Sequence, residues 1–298
     1  MKDLHIIDVY AHIWTGSVNT RAAIYGPVIK TESGYRERKI PSGGIAFLFN
    51  KLYDLQFENY VVFVADRYPA YKKQILLRYK EQRSFNESVN LQKQVAEHIL
   101  DKIGIGFHAV EGYEADDIIY TLVDKYHSDF DSVYVYADDS DMSICVNDNT
   151  SLRKVKSTGK NITRENYEYT AYTAREIPYN SIAVQKIMYG DTADNIPRLD
   201  KHIAQRVANC TLGETQNYLL GKRVFVEGLI KTFVPEATQQ FEAVFPFLLN
   251  DLGTPPKVSI NRDLLNSWGA AIGNRKFRPS VNIDADIAAL FELGLYED

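Results

Sequence analysis

The chain has 298 residues, 45% of them hydrophobic and 12% aromatic, enough for one large domain or a main domain with an appendage. Two cysteines (Cys145 and Cys210) exclude a disulfide framework and a CxxC zinc pair, and no apolar run has bilayer length. The start, MKDLHIIDVYAH, lacks the zones of a signal peptide, so the expectation is a soluble, cytoplasmic protein with no membrane partner. A formal net charge of −5 argues against a nucleic-acid partner only on average. Locally, Arg67, Lys72, Lys73, Arg78, Lys80 and Arg83 crowd together against Glu81 alone, and Arg153, Lys154, Lys156, Lys160 and Arg164 form a second basic stretch.

In chain order, LHIIDVY (4–10) reads as a strand and GGIAFLFNKLYDLQ (43–56) has apolar residues at helical spacing. YVVFVAD (60–66) is a continuous apolar run, as expected of a strand buried on both faces. Residues 67–87 are basic, aromatic and polar without a clean period. A helix follows at 90–103, a short strand at 105–110, and a helix at 114–127 with acids in its first turn, where the dipole favours them. DSVYVYA (131–137) is the fourth strand, and 152–156 a candidate fifth. From about 163 the pattern turns mainly helical: NSIAVQKIMYG, then 201–210, 214–231, 236–250 and 283–294, with a break at TPPK (254–257). Alternating strands and helices argue for an α/β fold, a mostly parallel sheet flanked by helices, followed by a mainly helical C-terminal region.

Carboxylates follow each strand. Asp8 closes the first and Asp66 the second; Glu114, Asp116 and Asp117 follow the third, and Asp138, Asp139 and Asp141 the fourth. Parallel strands bring their carboxyl ends to one edge, where ligands bind. A single Asp there is ordinarily a helix N-cap or turn former. Acids gathered from four strand ends are another matter, since two like charges at 4 Å repel by roughly 4 kcal/mol at an effective dielectric near 20. Protonation, hydrogen-bond donors or a cation must offset this, and the conjunction points to divalent cations. A further pair, Asp191 and Asp194, stands in YGDTADNIP. With no matching His or Cys cluster, an all-oxygen set suits Mg²⁺ or Mn²⁺. GxxxxGK[ST] and GxSxG patterns are absent.

These segments resemble the 5′-nuclease family, the flap endonucleases and 5′→3′ exonucleases that include phage enzymes and the nuclease domain of bacterial DNA polymerase I. VEGYEADDII is similar to the family's "EADD" segment, DDSDMSICV to "GDxDLLQLV", and YGDTADNIP to "GDxSDNIPG". IIDVYAHIW resembles the first-strand motif at Asp8, and VFVADRYPAYKKQILLRYKEQR the segment that gives Asp66, Lys80 and Arg83. Each motif is weak alone; five in order across roughly 4–197 are specific.

The resemblance implies a nuclease core over 1–165, with a helical arch region at about 67–103, and a helical region over 166–298. It implies two ions: Asp8, Asp66, Glu114, Asp116 and Asp117 toward one, Asp139 and Asp141 between the two, and Asp191 and Asp194 toward the second. It makes Lys80 and Arg83 phosphate contacts, catalytic together with Asp139 and Asp141. Arg67, Lys72, Lys73 and Arg78 join them in the nucleic-acid-binding set. Tyr68, Tyr71 and Tyr79 interleave with these cations and could stack bases. The implied partner is DNA with 5′ ends or flaps, or RNA–DNA hybrids, cut by a monomer with release of a 5′-phosphate, in the bacterial host cytoplasm if the chain is phage-encoded.

The sequence departs from the family in two places. Asp138 stands where the family usually has Gly. After DNIP the glycine-rich hairpin is missing; Arg198-Leu-Asp-Lys-His-Ile-Ala-Gln-Arg206 leaves Lys201 and Arg206 as phosphate contacts on a degenerate helix-hairpin-helix-like segment. The stretch Gly269–Arg278 reads as a basic loop. Two alternatives stay open: a PIN-like ribonuclease, usually shorter and without the late Asp pair, and a non-catalytic nucleic-acid binder on the same scaffold.

Overall fold

The computed structural model describes residues 2–17, 22–32, 34–55, 60–84, 86–105, 107–155, 161, 163, 191–196, 233–244 and 260–296. The expected helices at 180–190, 201–210 and 214–231, the break at 254–257, and Lys201 and Arg206 lie outside the described residues.

Five parallel strands form the central sheet in the order β5-β4-β1-β6-β7. They are β1 (Asp3–Asp8), β4 (Tyr60–Val64), β5 (Phe107–His108), β6 (Ser132–Tyr136) and β7 (Thr150–Arg153). Strand β1 is central, with Leu4–Asp8 opposite Tyr60–Val64 on one side and Asp3–Ile7 opposite Ser132–Tyr136 on the other. Both its faces are covered, which is why LHII carries no polar alternation. After β1 the chain builds outward through β4 to β5, then crosses back to place β6 and β7 on β1's other flank. The order therefore reverses between β1 and β6, and the crevice beyond their carboxyl ends is the topological switch point.

Helices cover both faces. One carries α5 (Ala115–Tyr126) and α6 (Pro235–Val244), which pack Ile119, Leu122 and Phe241 against Val62 and Val135. The other carries α1 (Val9–Ser17), α2 (Gly43–Leu55), α4 (Glu87–Ile103), α7 (Arg262–Ala271) and α8 (Asp284–Glu292), packed around Ile7, Phe63, Phe49 and Trp268. Asn86 caps α4 by accepting from Val89 N at 3.0 Å, and Gly104, at φ 83°, takes the left-handed position at its end. A short helix α3 (Ala70–Ile75) precedes α4.

Several expected boundaries shift. The strand at 105–110 shrinks to two residues and the fifth strand starts at 150. An antiparallel hairpin, β2 (Ala23–Thr31) with β3 (Gly34–Pro41), was not expected. Residues 269–271 of the expected basic loop close α7 instead.

Candidate metal centre

The acids that close the strands follow the carboxyl ends of one parallel sheet, and they divide into separate groups. Asp8 ends β1 with 8% exposure, and its Oδ1 accepts from Ala11 N at 3.1 Å, which starts α1. Asp66, just beyond β4, accepts from Ala115 N at 2.8 Å and so ties β4 to the first turn of α5. Lys93 on α4 donates to the Asp66 carbonyl at 2.8 Å. Burial and the neighbouring Asp66 raise the Asp8 carboxyl to about 7. Burial and then Asp139 likewise push Asp116 well above the usual carboxylate range. Asp66 thus sits close enough to Asp8, and Asp139 to Asp116, to oppose the ionisation of Asp8 and of Asp116.

Glu114 and Asp117 are treated differently. Together they form a capping box at the start of α5, with Glu114 N donating to Asp117 Oδ2 at 3.0 Å. Three donors converge on the Glu114 carboxylate: Lys72 Nζ at 2.8 Å, the Tyr79 hydroxyl at 2.8 Å and Lys80 Nζ at 2.7 Å. Lys72 also reaches Asp117 Oδ1 at 3.0 Å. Although burial opposes it, these lysines hold the Glu114 carboxyl well below its ordinary value. Asp117 has only the one ammonium, and burial dominates, raising it to about 6.

The turn Asp191–Ile196 closes on itself through paired backbone hydrogen bonds between its ends, and Asp191 Oδ1 accepts from Ala193 N at 2.8 Å. One carboxylate oxygen from each of Asp141, Asp191 and Asp194 lies within 4.8 Å of the others. Asp139 caps the turn of 3-10 helix that carries Asp141, accepting from Asp141 N at 2.9 Å. Against Asp191–Ile196 packs the turn that follows α3. Gln82 donates to the carbonyls of Thr192 and Ala193 at 2.6 and 2.8 Å, Asn195 donates to Arg78 O at 2.7 Å, and Arg83 Nη2 donates to Asp194 Oδ1 at 2.9 Å. Lys80 and Asn195, which face one another here, have φ of 53° and 58°.

The expected basic set divides. Lys80 and Arg83 lie at the acids. Arg78 is exposed beside Glu81, and Lys73 extends over the ring of Tyr68. Arg67 lies against Glu97 and 3.3 Å from Glu111. Lys72, expected to contact nucleic acid, is instead 3% exposed inside the protein. Tyr79, read as a base-stacking side chain, is 2% exposed and spends its hydroxyl on Glu114. Asp138 accepts from Thr15 Oγ1 at 3.1 Å and Val155 N at 3.0 Å, so it joins α1 to the exit of β7. Lys93 and Gln82 were not anticipated. Their partners are distant in sequence, and neither spacing nor composition marks them.

The Asp141–Asp191–Asp194 cluster has separations that fit a hard divalent cation, and a cation's charge would also offset the burial and the repulsion that raise Asp8 and Asp116. A parallel sheet with such a rim, faced by a lysine and an arginine able to hold phosphate, defines a nuclease.

A family model for the N-terminal resolvase-like domain of 5′-3′ exonucleases matches residues 20–173. The chain belongs to the 5′-3′ exonuclease family, and it is a hydrolase acting on DNA. A 5′-3′ exonuclease of Aquifex aeolicus is 26% identical over 253 residues, covering 83% of this chain and 76% of that one. A second, from Mycoplasmopsis pulmonis, is 27% identical over 48% of this chain and 47% of its own length. Among solved structures, bacteriophage T5 5′-exonuclease with bound zinc superposes with a TM-score of 0.54 at 15% identity, covering 91% of this chain and 98% of that one. A T5 flap endonuclease variant in a pseudo-enzyme-product complex with DNA and metal ions gives 0.53 at 14% identity over 97% and 100%. At these identities the likeness is one of fold.

Proposed function

We propose that the chain hydrolyses phosphodiester bonds near 5′ ends or flaps of DNA with two Mg²⁺ or Mn²⁺ ions, releasing a 5′-phosphate. What supports this reading is the Asp141–Asp191–Asp194 cluster, together with the neighbouring pairs Asp8–Asp66 and Asp116–Asp139 that follow the carboxyl ends of the parallel strands. Asp8, Asp66, Asp116 and Asp139 would hold one ion, with Glu114 and Asp117 behind them. Asp141, Asp191 and Asp194 would hold the other. Bound there, divalent ions lower the pKa of water and stabilise the attacking and leaving oxygens of an in-line displacement.

The chain's own groups do the rest. Lys80 presents a compact positive charge and Arg83 a planar fork to phosphate oxygens, opposing charge that develops in the transition state. Both leave their carboxylate partners to do so, and a cation at those acids makes the exchange favourable. An open cleft of about 320 Å³ beside Asp66, lined by Arg67, Tyr68, Asn90, Lys93, Gln94 and Glu97, adjoins this position. Tyr68 is 66% exposed there and offers a face for an unpaired base. Lys73, Arg78, Lys201 and Arg206 would follow the backbone at a distance.

The test is incubation of the full chain with 5′-labelled flap, nicked and RNA-primed duplexes in Mg²⁺, with EDTA as control. Cleavage that needs the metal and leaves a 5′-phosphate is expected. An intact set of DNA substrates beside a cut RNA would favour the ribonuclease alternative.

A further inference from the structure

Lys72 follows none of the rules that govern the other cations of its segment. Its neighbour Lys73 lies over Tyr68 at the surface, whereas the Lys72 side chain is 4% exposed. Its ammonium lies 2.8 Å from Glu114 Oε2 and 3.0 Å from Asp117 Oδ1, and 5.7 Å from the centroid of the Tyr79 ring. Both carboxylates belong to the first turn of α5 at i and i+3, so one point charge spans two acids on one helix face. Asp116, between them in sequence, is left toward Asp139 on the rim. A phosphate could reach Lys72 only by entering a space that two carboxylates and an aromatic ring already fill. Asp117 Oδ2 accepts from Glu114 N, and its buried Oδ1 has the Lys72 ammonium 3.0 Å away as an ion-pair partner without a formed hydrogen bond. Asp117 is not part of the Asp141–Asp191–Asp194 cluster.

We infer that Lys72 is a positioning residue for the nuclease reaction: an internal countercharge that reserves Glu114 and Asp117 for the scaffold and thereby fixes how Asp116 meets a cation. The inference rests on the proposed two-ion nuclease reading and deepens it by giving Lys72 a part in the reaction that runs through α5 rather than through the substrate. A phosphate-binding lysine acts through the substrate. Lys72 acts through α5, so its loss changes turnover and metal response without changing the grip on DNA.

The experiment compares the full wild-type chain with Lys72→Met and Lys72→Arg on 5′-labelled flap DNA in Mg²⁺. It also measures DNA affinity in EDTA and the shift in Tm on adding Mn²⁺. For Lys72→Met, kcat should fall by about 10–100-fold, as removal of outer-shell partners of a metal site does, with KM and DNA affinity nearly unchanged. Lys72→Arg should recover part of the loss. The Mn²⁺ shift should be larger in Lys72→Met than in wild type, because a cation takes over the charge that the lysine balanced. A KM and DNA affinity that worsen in step with kcat, or an unchanged kcat, overturns the inference.

If the wild-type chain cuts no DNA, the nuclease reading fails. The inference is then judged on the Mn²⁺ shift, and an equal or smaller shift in Lys72→Met refutes it. Should Lys72→Met not fold, Lys72→Met with Asp117→Asn, which removes one of the two orphaned charges, carries the same comparison. If that chain also fails to fold, Lys72→Arg decides alone: reduced kcat at constant KM supports the inference and raised KM overturns it.

Discussion

Lys80 is the residue at which the basic stretch meets both acidic clusters. Its ammonium is 2.7 Å from Glu114 Oε1 and 3.9 Å from Asp194 Oδ1, and its backbone is held in the left-handed region. A side chain so placed exchanges one set of oxygens for another, carboxylate for phosphate, as substrate enters. Lys80→Ala should therefore lower turnover on DNA by about 10²-fold, the scale of one lost transition-state charge contact, with a much smaller loss of affinity. Single-turnover rates and binding in EDTA check this, and equal losses in both would make Lys80 a binding residue only. Asp139→Asn combined with Asp141→Asn should abolish Mg²⁺-dependent cleavage, since Asp139 neighbours Asp116 and Asp141 belongs to the cluster with Asp191 and Asp194. Cutting retained by that double variant in Mg²⁺ would remove both from the site. At this scale the sequence named residue types well and partners poorly. The family-like order of motifs marked Glu114, Lys80 and Asp194, but nothing in Ala70-Tyr-Lys-Lys-Gln-Ile75 distinguishes buried Lys72 from surface Lys73. That distinction is made by the docking of a six-residue helix, too short to show a period.

Among the elements, α1 and α2 decide how firmly Asp8 is held. They cross so closely that a Cβ added at Gly44 would strike the Ile13 carbonyl and lie 2.8 Å from Ile13 Cα. Backbone cannot give way as a side-chain tip can. Gly44→Ala should cost about 1–3 kcal/mol, the usual range for overpacking, read as a lower urea midpoint. Because α1 begins at the N–H groups that Asp8 accepts, the same variant should also need more Mg²⁺ for half-maximal cleavage. A midpoint within error of wild type would mean that the crossing has slack. Buried strands and long amphipathic helices were legible because their neighbours impose a period: β4 reads as continuous apolar, and α4 carries Val95, Ile99 and Leu100 to one side. The β2–β3 hairpin was not legible. Beyond Ile24 and Ile40 its residues are at least partly in solvent on both faces, so no alternation is selected, and Pro27 falls where the ladder register shifts.

Over the whole molecule, charge is sorted rather than balanced. A chain of net charge −5 gathers its acids on one rim and sets lysines and an arginine against part of them. The rim was legible in sequence because parallel strands must deliver their closing residues to one edge. The internal countercharges were not, because they depend on where residues 70–83 fold back. This sorting makes the metal response depend on pH in a stated direction. Raised acids such as Asp8, at about 7 against 3.8, bind protons more tightly in the folded chain, so metal-free stability from them declines as pH rises through 4 to 7. Buried His12 and His108, each lowered to about 4 by burial, act oppositely: their contribution is full above about 6.5 and is lost as pH falls toward 4. Both histidines are already neutral in the folded chain above about pH 5, so their contribution drops out of the difference over the range measured. A divalent ion must displace the proton from Asp8 and from Asp116, which is also raised. The gain in Tm from saturating Mg²⁺ should therefore be small near pH 5 and grow through pH 6 and 7 as Asp8 loses its proton, with Asp116 acting in the same direction. Melting curves with and without Mg²⁺ at fixed ionic strength measure it. A gain that is constant across that range would show that no proton leaves the rim when the metal binds, and that these carboxylates are not its ligands.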